Sequence, residues 1–416
     1  MGKNPQKSKA YTAHLVLMIL VTLCPACPLF ADQDVTAIKG GDLYTITSGI
    51  IKNGTILIED GKISRIGQNI EIPKNAKVIN AAGKVVMPGL VTATAEVGMA
   101  GSDNQIAESL DPFHYSASLA LASGITSIYV SRGGPSGSNP IGGTNAVIKP
   151  TYGDLENMLV KESVAQNASL SSWMGKTNFL ENQRKAHAYL QKFDEYTRDK
   201  DQKKLQELKK PSGIDEYIRL LKKELPARLR ATTAAELLDI VEMIDEFDIR
   251  VIIDDAVEAW VVAEEIAKHD IHLVITPREK RRPNEYISGS SGSTLENAAI
   301  LKKAGVKFAI VPTSPSFATW GIAGRDLMAL PMEAAFAVSG GLDEQTALES
   351  ITINAAEIIG VADRVGSLQV GKDADIIILD GHPFHHKTFV ELTLINGKIL
   401  YEKSKSPYFS HITHDN

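Results

Sequence analysis

Cysteine is almost absent from this sequence. The chain of 416 residues has two cysteines, Cys24 and Cys27, and both lie in its first 31 residues. The rest of the chain can therefore form no disulfide and offers no thiolate as a nucleophile or a soft metal ligand. Aromatic residues make up only 6% of the chain, and its net charge of −6 comes from mixed charges. Neither a basic stripe nor an aromatic platform indicates binding to nucleic acid.

The first 31 residues have the pattern of a secretory signal peptide. Three lysines within the first nine residues precede an apolar core at residues 14–23, and residues 29–31 form a cleavage site before Asp32. The apolar core is shorter than the roughly 20 residues that a membrane span needs. An uncleaved anchor is the alternative. We therefore expect a periplasmic or secreted protein that has no membrane segment after cleavage.

Short strands are predicted near both ends of the remaining chain. Residues 56–58 and 63–66 flank a hairpin turn, and residues 374–379 are strand-like. Residues 392–401 contain the turn pair Asn-Gly between two further strand-like runs.

Between these ends, apolar strands alternate with helices. Strands are predicted at 125–130, 227–230, 251–253, 272–276 and 306–311, and helices at 234–247 and 295–303. Thr233 and Glu236 form a capping box for the first helix. Asp255, with Glu258 three residues later, predicts another helix start by the same chemistry. The alternation predicts a parallel sheet covered on both faces, and its length suits a barrel better than an open sheet.

Residues 183–225 interrupt the alternation with a dense run of mixed charge. This run predicts solvent-facing helices inserted after a barrel strand. A solvated face without a role is the alternative interpretation.

Several segments resemble the amidohydrolase superfamily. Residues 85–96 resemble its first barrel strand, PGLID-x-H-x-H, in which two histidines hold a divalent metal ion. Residues 352–356, 366–375 and 381–383 resemble its C-terminal signature. Residues 139–149 are similar to the exported imidazolonepropionase-like and prolidase-like members.

The resemblance implies an α/β fold, a distorted TIM (β/α)8 barrel with a small β-sandwich. The barrel would span residues 87–364, the composite sandwich residues 32–86 and 365–405, and a tail residues 406–416. Active members of the family hydrolyse C–N bonds with one or two zinc-type ions, which lower the pKa of a bound water. Members commonly form oligomers.

Five positions at which the resemblance implies metal-binding or catalytic residues differ from the family pattern. They lie on the first, fifth, sixth and eighth barrel strands and hold Thr94, Glu96, Arg230, Asp255 and Thr313. None of them is a histidine, so no catalytic residue and no resident cofactor is predicted. Lys176 is the nearest candidate for the lysine that bridges two metal ions in some members.

One hypothesis is a pseudoenzyme in which Arg230 bridges Glu96 and Asp255 and fills the metal position. A guanidinium matches carboxylates bidentately and partly replaces the charge of a cation. In this interpretation Thr94 and Thr313 only fill space. There are two alternatives. Asp255 could be a helix N-cap, and Glu96 and Arg230 could make unrelated surface contacts.

A second hypothesis is an active enzyme with an atypical site. Glu96, Asp254 and Asp255 would hold one divalent ion such as Mg²⁺ or Mn²⁺, with Zn²⁺ as a further alternative, and Arg230 would stabilise an oxyanion. The glycine-rich residues 133–137 predict a loop rather than a nucleophile elbow, because no helix pattern follows them.

The expected function is therefore binding rather than turnover. One form is a non-catalytic subunit that pairs with an active, metal-bearing paralogue or with copies of itself. The other is a protein that binds a small-molecule ligand, with a pocket formed by Thr94, Asp254, Asn139 and Gly143. The alternative is hydrolysis of non-peptide amide, cyclic amide or dipeptide C–N bonds. His382, His385 and His386 indicate a solvated loop.

Overall fold

The structure, a computed structural model, describes residues 35–99, 106–135, 139–286, 289–317 and 326–412. The predicted signal peptide lies outside these residues. Within the described ranges, no helix is both long enough and apolar enough to cross a membrane.

Strands and helices alternate along most of the chain. The strands are β1 (Thr36–Tyr44), β2 (Ile50–Glu59), β3 (Lys62–Gly67), β4 (Lys77–Asn80), β5 (Val85–Pro88), β6 (Leu90–Thr92), β7 (Ile125–Arg132), β8 (Thr144–Ile148), β9 (Leu159–Glu162), β10 (Gln166–Asn167), β11 (Ala227–Arg230), β12 (Val251–Asp254), β13 (Ile271–Ile275), β14 (Lys307–Ile310), β15 (Ile376–Leu379), β16 (Val390–Ile395) and β17 (Lys398–Glu402). The helices are α1 (Ile106–Ser109), α2 (Tyr115–Ala122), α3 (Trp173–Arg198), α4 (Gln202–Glu207), α5 (Asp215–Leu221), α6 (Ala234–Phe247), α7 (Ala263–Ile266), α8 (Asn297–Ala304), α9 (Leu330–Ser339), α10 (Glu344–Ser350) and α11 (Ile353–Ile358).

The two ends of the chain share one eight-stranded sheet. Its order is β17-β16-β15-β5-β1-β2-β3, with β4 paired to β1. The central pair is antiparallel and joins β5 to β15, from Val85 opposite Leu379 to Pro88 opposite Ile376. Both predicted hairpins, β2–β3 and β16–β17, are confirmed. Alternate apolar side chains of these strands form a separate core, which includes Ile38, Ile56 and Leu394.

The middle of the chain forms two further sheets. One is parallel throughout, in the order β10-β11-β12-β13-β14. The other has the order β6-β7-β8-β9, and its β7–β8 and β8–β9 pairs are antiparallel. Strands β8 and β9, which were not predicted from the sequence, are therefore exceptions to the parallel arrangement. No helix separates β7 from β8 among the described residues, and a parallel return would need a crossover connection of a dozen residues or more.

A common apolar core fills the space between these two sheets. Val91 and Tyr129 from the four-stranded sheet contribute to it, and so do Ile252, Val274 and Ala309 from the five-stranded sheet. The opposite faces of the same strands pack on the helices in a larger core. Strands β12, β13 and β14 are therefore buried on both faces over most of their length, which explains why they are almost continuously apolar.

The predicted helix at 234–247 is confirmed with its capping box. The Thr233 hydroxyl accepts from the Glu236 backbone, and the Glu236 carboxylate accepts from the Thr233 backbone. The helix start predicted at Asp255 is wrong. Asp255 has a φ of 63°, and the next helical turn is a short 3-10 segment at Ala259–Val261. Left-handed backbone at Asp255 cannot form a helix N-cap, whose backbone is extended.

The charged insertion is helical, and it begins earlier than predicted, at Trp173. It is not only a solvated face. Phe179 on α3 packs edge-on against Tyr217 on α5, at 5.4 Å between ring centroids. Arg184 on α3 pairs with Glu246 on α6, with 2.7 Å between Nε and Oε1. The insertion is thus fixed to the helices that cover the parallel sheet.

Candidate functional site

A buried arginine pairs with a half-buried aspartate between the two middle sheets. Arg228 on β11 donates from Nε to Oδ2 of Asp254 at 2.8 Å and from Nη2 to Oδ1 at 2.7 Å. Nη2 also donates to the carbonyl of Ala93, at 2.8 Å. The Arg228 side chain is only 4% exposed. Because Ala93 follows β6 and Asp254 ends β12, this one guanidinium links the two sheets.

The Tyr129 ring covers the Arg228 guanidinium. The guanidinium carbon lies 3.9 Å from the ring centroid, and the Tyr129 hydroxyl donates to Oδ1 of Asn167 at 3.0 Å. Burial alone would lower the pKa of Arg228, but the charge of Asp254 raises that pKa above its ordinary value. Burial also raises the pKa of Tyr129. The arginine is therefore charged and the tyrosine neutral near pH 7.

One nitrogen of this arginine, Nη1, is buried without a hydrogen-bond partner among the described residues. Sequence reasoning missed Arg228 as a site residue. The available signal was its position two residues before Arg230, which places both side chains on the same face of a strand.

A second ion pair joins the ends of the same two strands. Arg230 at the end of β11 pairs with Asp255, which follows β12 directly. This pair is more exposed, since 78% of the Arg230 side chain is accessible to solvent. Burial raises the pKa of Asp255, and the Arg230 charge opposes that rise only in part. The structure thus brings together two of the residues in the predicted ion-pair triad.

Thr94, Glu96 and Thr313 make contacts other than those of the predicted ion-pair triad. Glu96 is exposed, and its backbone donates to the Pro315 carbonyl at 2.7 Å. Among the ion pairs of the described chain, none joins Glu96 to Arg230. The carbonyl of Thr94 accepts from the Thr92 hydroxyl at 2.8 Å, and the Thr313 side chain is exposed in the loop after β14.

A buried glutamate, Glu258, ties three loops together around these strand ends. Its Oε2 accepts from the backbone of Ala234 at 2.9 Å, where α6 begins. Its Oε1 accepts from the backbone of Gly292 at 2.7 Å and from Nε of Arg281 at 3.0 Å. Glu258 is 3% exposed. Buried carboxylates with several donors are fixed in position, so Glu258 positions the loops after β11, β12 and β13.

The residues at the five positions where the sequence resemblance implies metal-binding or catalytic residues do not fit a zinc ion. They supply two hydroxyls, two carboxylates and a guanidinium, and the guanidinium pairs with one of the carboxylates. Structural and catalytic zinc sites use imidazole, thiolate and carboxylate ligands. Across the described residues, no three His, Cys, Asp or Glu side chains form a group that could hold a metal ion. Lys176 donates to Asp239 on α6 at 2.6 Å, so it lies on the helical surface rather than between the sheets.

Asn139 and Gly143 lie at a separate cleft of about 700 Å³ on the flank of the four-stranded sheet. Gly143 has a φ of 75°, and a Cβ there would lie 2.4 Å from the carbonyl oxygen of Gly133. Only glycine fits this close approach of two backbone segments. The same Cβ would lie 3.0 Å from Nδ2 of Asn167, so the cleft and the Tyr129–Arg228 stack share a neighbour.

Comparison with known proteins adds three findings. The model of the Amidohydrolase family matches residues 213–400. A 5'-deoxyadenosine deaminase of Methanosarcina acetivorans is 42% identical over 80 residues, which are 18% of each chain. An imidazolonepropionase of Vibrio cholerae is 36% identical over 102 residues, which are 24% of each chain. The chain thus matches less than a quarter of the length of these curated relatives. The crystal structure of an amidohydrolase from Thermotoga maritima superposes with a TM-score of 0.69 at 26% identity, covering 88% of this chain and 100% of that one.

Proposed function

Because this chain belongs to the amidohydrolase superfamily, we propose that it is a catalytically impaired member that acts by binding after export from the cytoplasm. It serves either as a ligand-binding protein or as the non-catalytic subunit of an assembly with an active paralogue. In this proposal the two middle sheets are the two halves of the family's distorted barrel. Their shared apolar core and the contact from Arg228 to the Ala93 carbonyl support that assignment.

The observation that carries the proposal is the Arg230–Asp255 ion pair at positions where the family places metal ligands. A guanidinium beside these carboxylates repels an incoming divalent cation and already satisfies the charge of Asp255. The neighbouring Asp254 is held bidentately by Arg228. Two of the three carboxylates that an oxygen-ligand site would need are therefore paired with arginine.

The second candidate function is hydrolysis of a C–N bond by an atypical site. One observation favours it, the raised pKa of Asp255, which burial causes. Perturbed carboxyl groups at strand ends are typical of general acids and bases. In this case Asp255 would hold and transfer the proton, and Arg230 would stabilise the developing negative charge.

The metal content of the protein decides between these functions. Residues 32–416, purified without chelator or histidine tag, are incubated with Zn²⁺ or Mn²⁺, dialysed and measured by elemental mass spectrometry. We expect less than about a tenth of an equivalent of either metal, which would leave the water-activating mechanism of the family without its ion. Near one equivalent, lost in Glu96→Ala or Asp255→Ala, would overturn the proposal. Asp239→Ala is the matched control, since it removes an exposed carboxylate on α6.

A further inference from the structure

An apolar cavity of about 160 Å³ lies where the eight-stranded sheet meets the helices of the larger core. Its inner wall consists of buried side chains from β5, β6 and β15, which are Met87, Leu90, Ile377 and Leu379. Its outer wall consists of partly exposed aromatic side chains from the C-terminal segment, which are Phe389, Tyr401 and Phe409. The residues of the strand-end ion pairs do not line it, so this cavity is a separate feature of the fold.

The size of the cavity suits one small molecule. Protein interiors are close-packed, and voids much larger than a water molecule, whose share of liquid volume is about 30 Å³, are few. Dry apolar cavities of about 150 Å³ bind benzene or xenon. The volume here therefore fits a molecule about as large as one aromatic ring.

The polarity of the lining excludes a charged ligand. Among the described residues, no charged side chain lines the cavity. The Ser123 hydroxyl donates to a backbone carbonyl of α2 at 2.8 Å, and the Thr388 hydroxyl donates to the carbonyl of His382 at 2.7 Å. The Tyr401 hydroxyl forms a hydrogen bond with Ser406. Since these hydroxyls already have partners, a charged or strongly polar group would lose its water without gaining a new contact.

The outer wall is held in place before any ligand binds. The backbone of Phe389 donates to Oδ1 of Asp380 at 2.7 Å, and the backbone of Asp380 donates to the Phe389 carbonyl at 3.2 Å. The Lys403 ammonium lies 4.5 Å from the centroid of the Phe389 ring. The cavity is thus preformed, and little ordering of the protein would oppose binding.

The side chains of the walls favour an aromatic ligand over an alkyl one. The rings of Phe389 and Phe409 lie 6.5 Å apart between centroids, with 48° between their planes. Aromatic rings pack well edge-on against other rings. Met87 and Met328 add two thioethers to the lining, and sulfur contacts with ring edges are favourable.

We propose that this cavity binds one small, uncharged aromatic molecule of about the size of toluene. The site is distinct from the space between the two middle sheets. It does not depend on whether that space carries out catalysis or holds a metal ion.

Isothermal titration calorimetry with toluene and benzoate tests the ligand class. We expect toluene to bind the purified protein at one site with a Kd of about 1 mM or tighter, a modest free energy for seven non-hydrogen atoms. Benzoate has the same ring with a carboxylate, and it should bind at least about tenfold more weakly because its charge would lose water unpaired. Absence of saturation by benzene and toluene, or equal affinity for benzoate, would overturn the proposal.

Substitutions then locate the binding. Ala122→Leu places a larger apolar side chain at a lining position and should abolish binding of toluene by filling the cavity. Phe409→Ala removes part of the outer wall and should weaken toluene by at least about fivefold. Tyr408→Ala is the matched control, because the neighbouring Tyr408 is 53% exposed and does not line the cavity.

Thermal unfolding checks that each variant is folded, and Phe409→Ala decides the matter if Ala122→Leu unfolds. Toluene affinity that is unchanged in the folded lining variants, or lowered equally by Tyr408→Ala, would refute the assignment of the cavity. The metal content of the protein does not enter this titration, so the proposed function and this inference fail or stand separately.

Discussion

The buried lysine Lys149 should be one of the most costly side chains to remove from this protein. It follows β8 and is 1% exposed. Its Nζ donates to Oδ2 of Asp373 at 2.8 Å, to Oδ1 of Asp375 at 3.0 Å and to Oδ1 of Asn396 at 2.7 Å. Asp373 and Asp375 lie just before β15, and Asn396 lies in the turn between β16 and β17, so all three acceptors border the eight-stranded sheet. One ammonium group therefore links that sheet to the four-stranded sheet.

The cost follows from what Lys149→Met would leave behind. Asp373 keeps the Arg364 guanidinium, which donates from Nε at 2.9 Å. Among the described residues, Asp375 keeps one donor, the backbone of Asn396 at 2.9 Å, and its side chain is 2% exposed. Burial raises the pKa of Asp375, and Lys149 opposes that rise. Removing one partner of a buried ion pair typically costs about 3–5 kcal/mol, and we expect a loss of unfolding free energy of that size.

Urea unfolding followed by circular dichroism and tryptophan fluorescence measures this loss. Lys52→Met is the control, because Lys52 is exposed and its pair with Asp42 should contribute little to stability. Adding Asp375→Asn to Lys149→Met removes the stranded charge and should restore part of the stability. The reasoning is refuted if Lys149→Met unfolds within about 1 kcal/mol of the parent protein, or if the added Asp375→Asn lowers stability further.

Three further predictions concern the strand-end site. Glu258→Gln should destabilise the protein by about 2–3 kcal/mol, because the carboxylate accepts from two backbone amides and an arginine; an unchanged melting temperature would contradict this. Thr233→Ala should lower the free energy of unfolding by about 1 kcal/mol, because it removes the capping box. Thr197→Ala, on the exposed face of α3, is the control and should lower it less. Equal losses of the two variants in urea unfolding would contradict the capping prediction. Arg230→Gln should raise the pKa of Asp255 further, because Arg230 now lowers it. When the pKa of a carboxyl is higher in the folded protein than in the unfolded chain, raising the pH through the range between the two pKa values destabilises the folded state. Arg230→Gln should therefore lose stability in that pH range, which unfolding experiments between pH 3 and 7 measure, while carboxyl NMR follows the titration of Asp255. An unchanged titration of Asp255 would refute the coupling.

Local signals in the sequence were enough to predict most secondary structure. Strand β11 and helix α6 occupy the predicted residues, because an apolar strand, a capping box and helical periodicity all indicate the same boundaries there. The hairpins at Asp60–Gly61 and Asn396–Gly397 follow from turn chemistry in the same way.

Tertiary contacts decided the features that the sequence did not reveal. Asp255 and Glu258 have the spacing of a capping box, but Glu258 bonds to the neighbouring loops instead of to its own helix end. Nothing local in the sequence showed that Asp254 lies opposite the Arg228 guanidinium. That contact depends on the register of β11 against β12, in which Arg228 aligns with Ile252 and Arg230 with Asp254.

The two arginine–aspartate pairs are best understood as one electrostatic unit. Carboxylates that lie close together at strand ends favour a nearby cation, because like charges raise each other's free energy. A divalent ion can supply that charge, and so can two guanidinium groups. Here Arg228 holds Asp254 and Arg230 holds Asp255, so each strand end is already neutralised. Replacing Arg230 alone by histidine would still leave Arg228 in the space and threonine at position 94. The electrostatic balance therefore favours retention of the two arginines as a set.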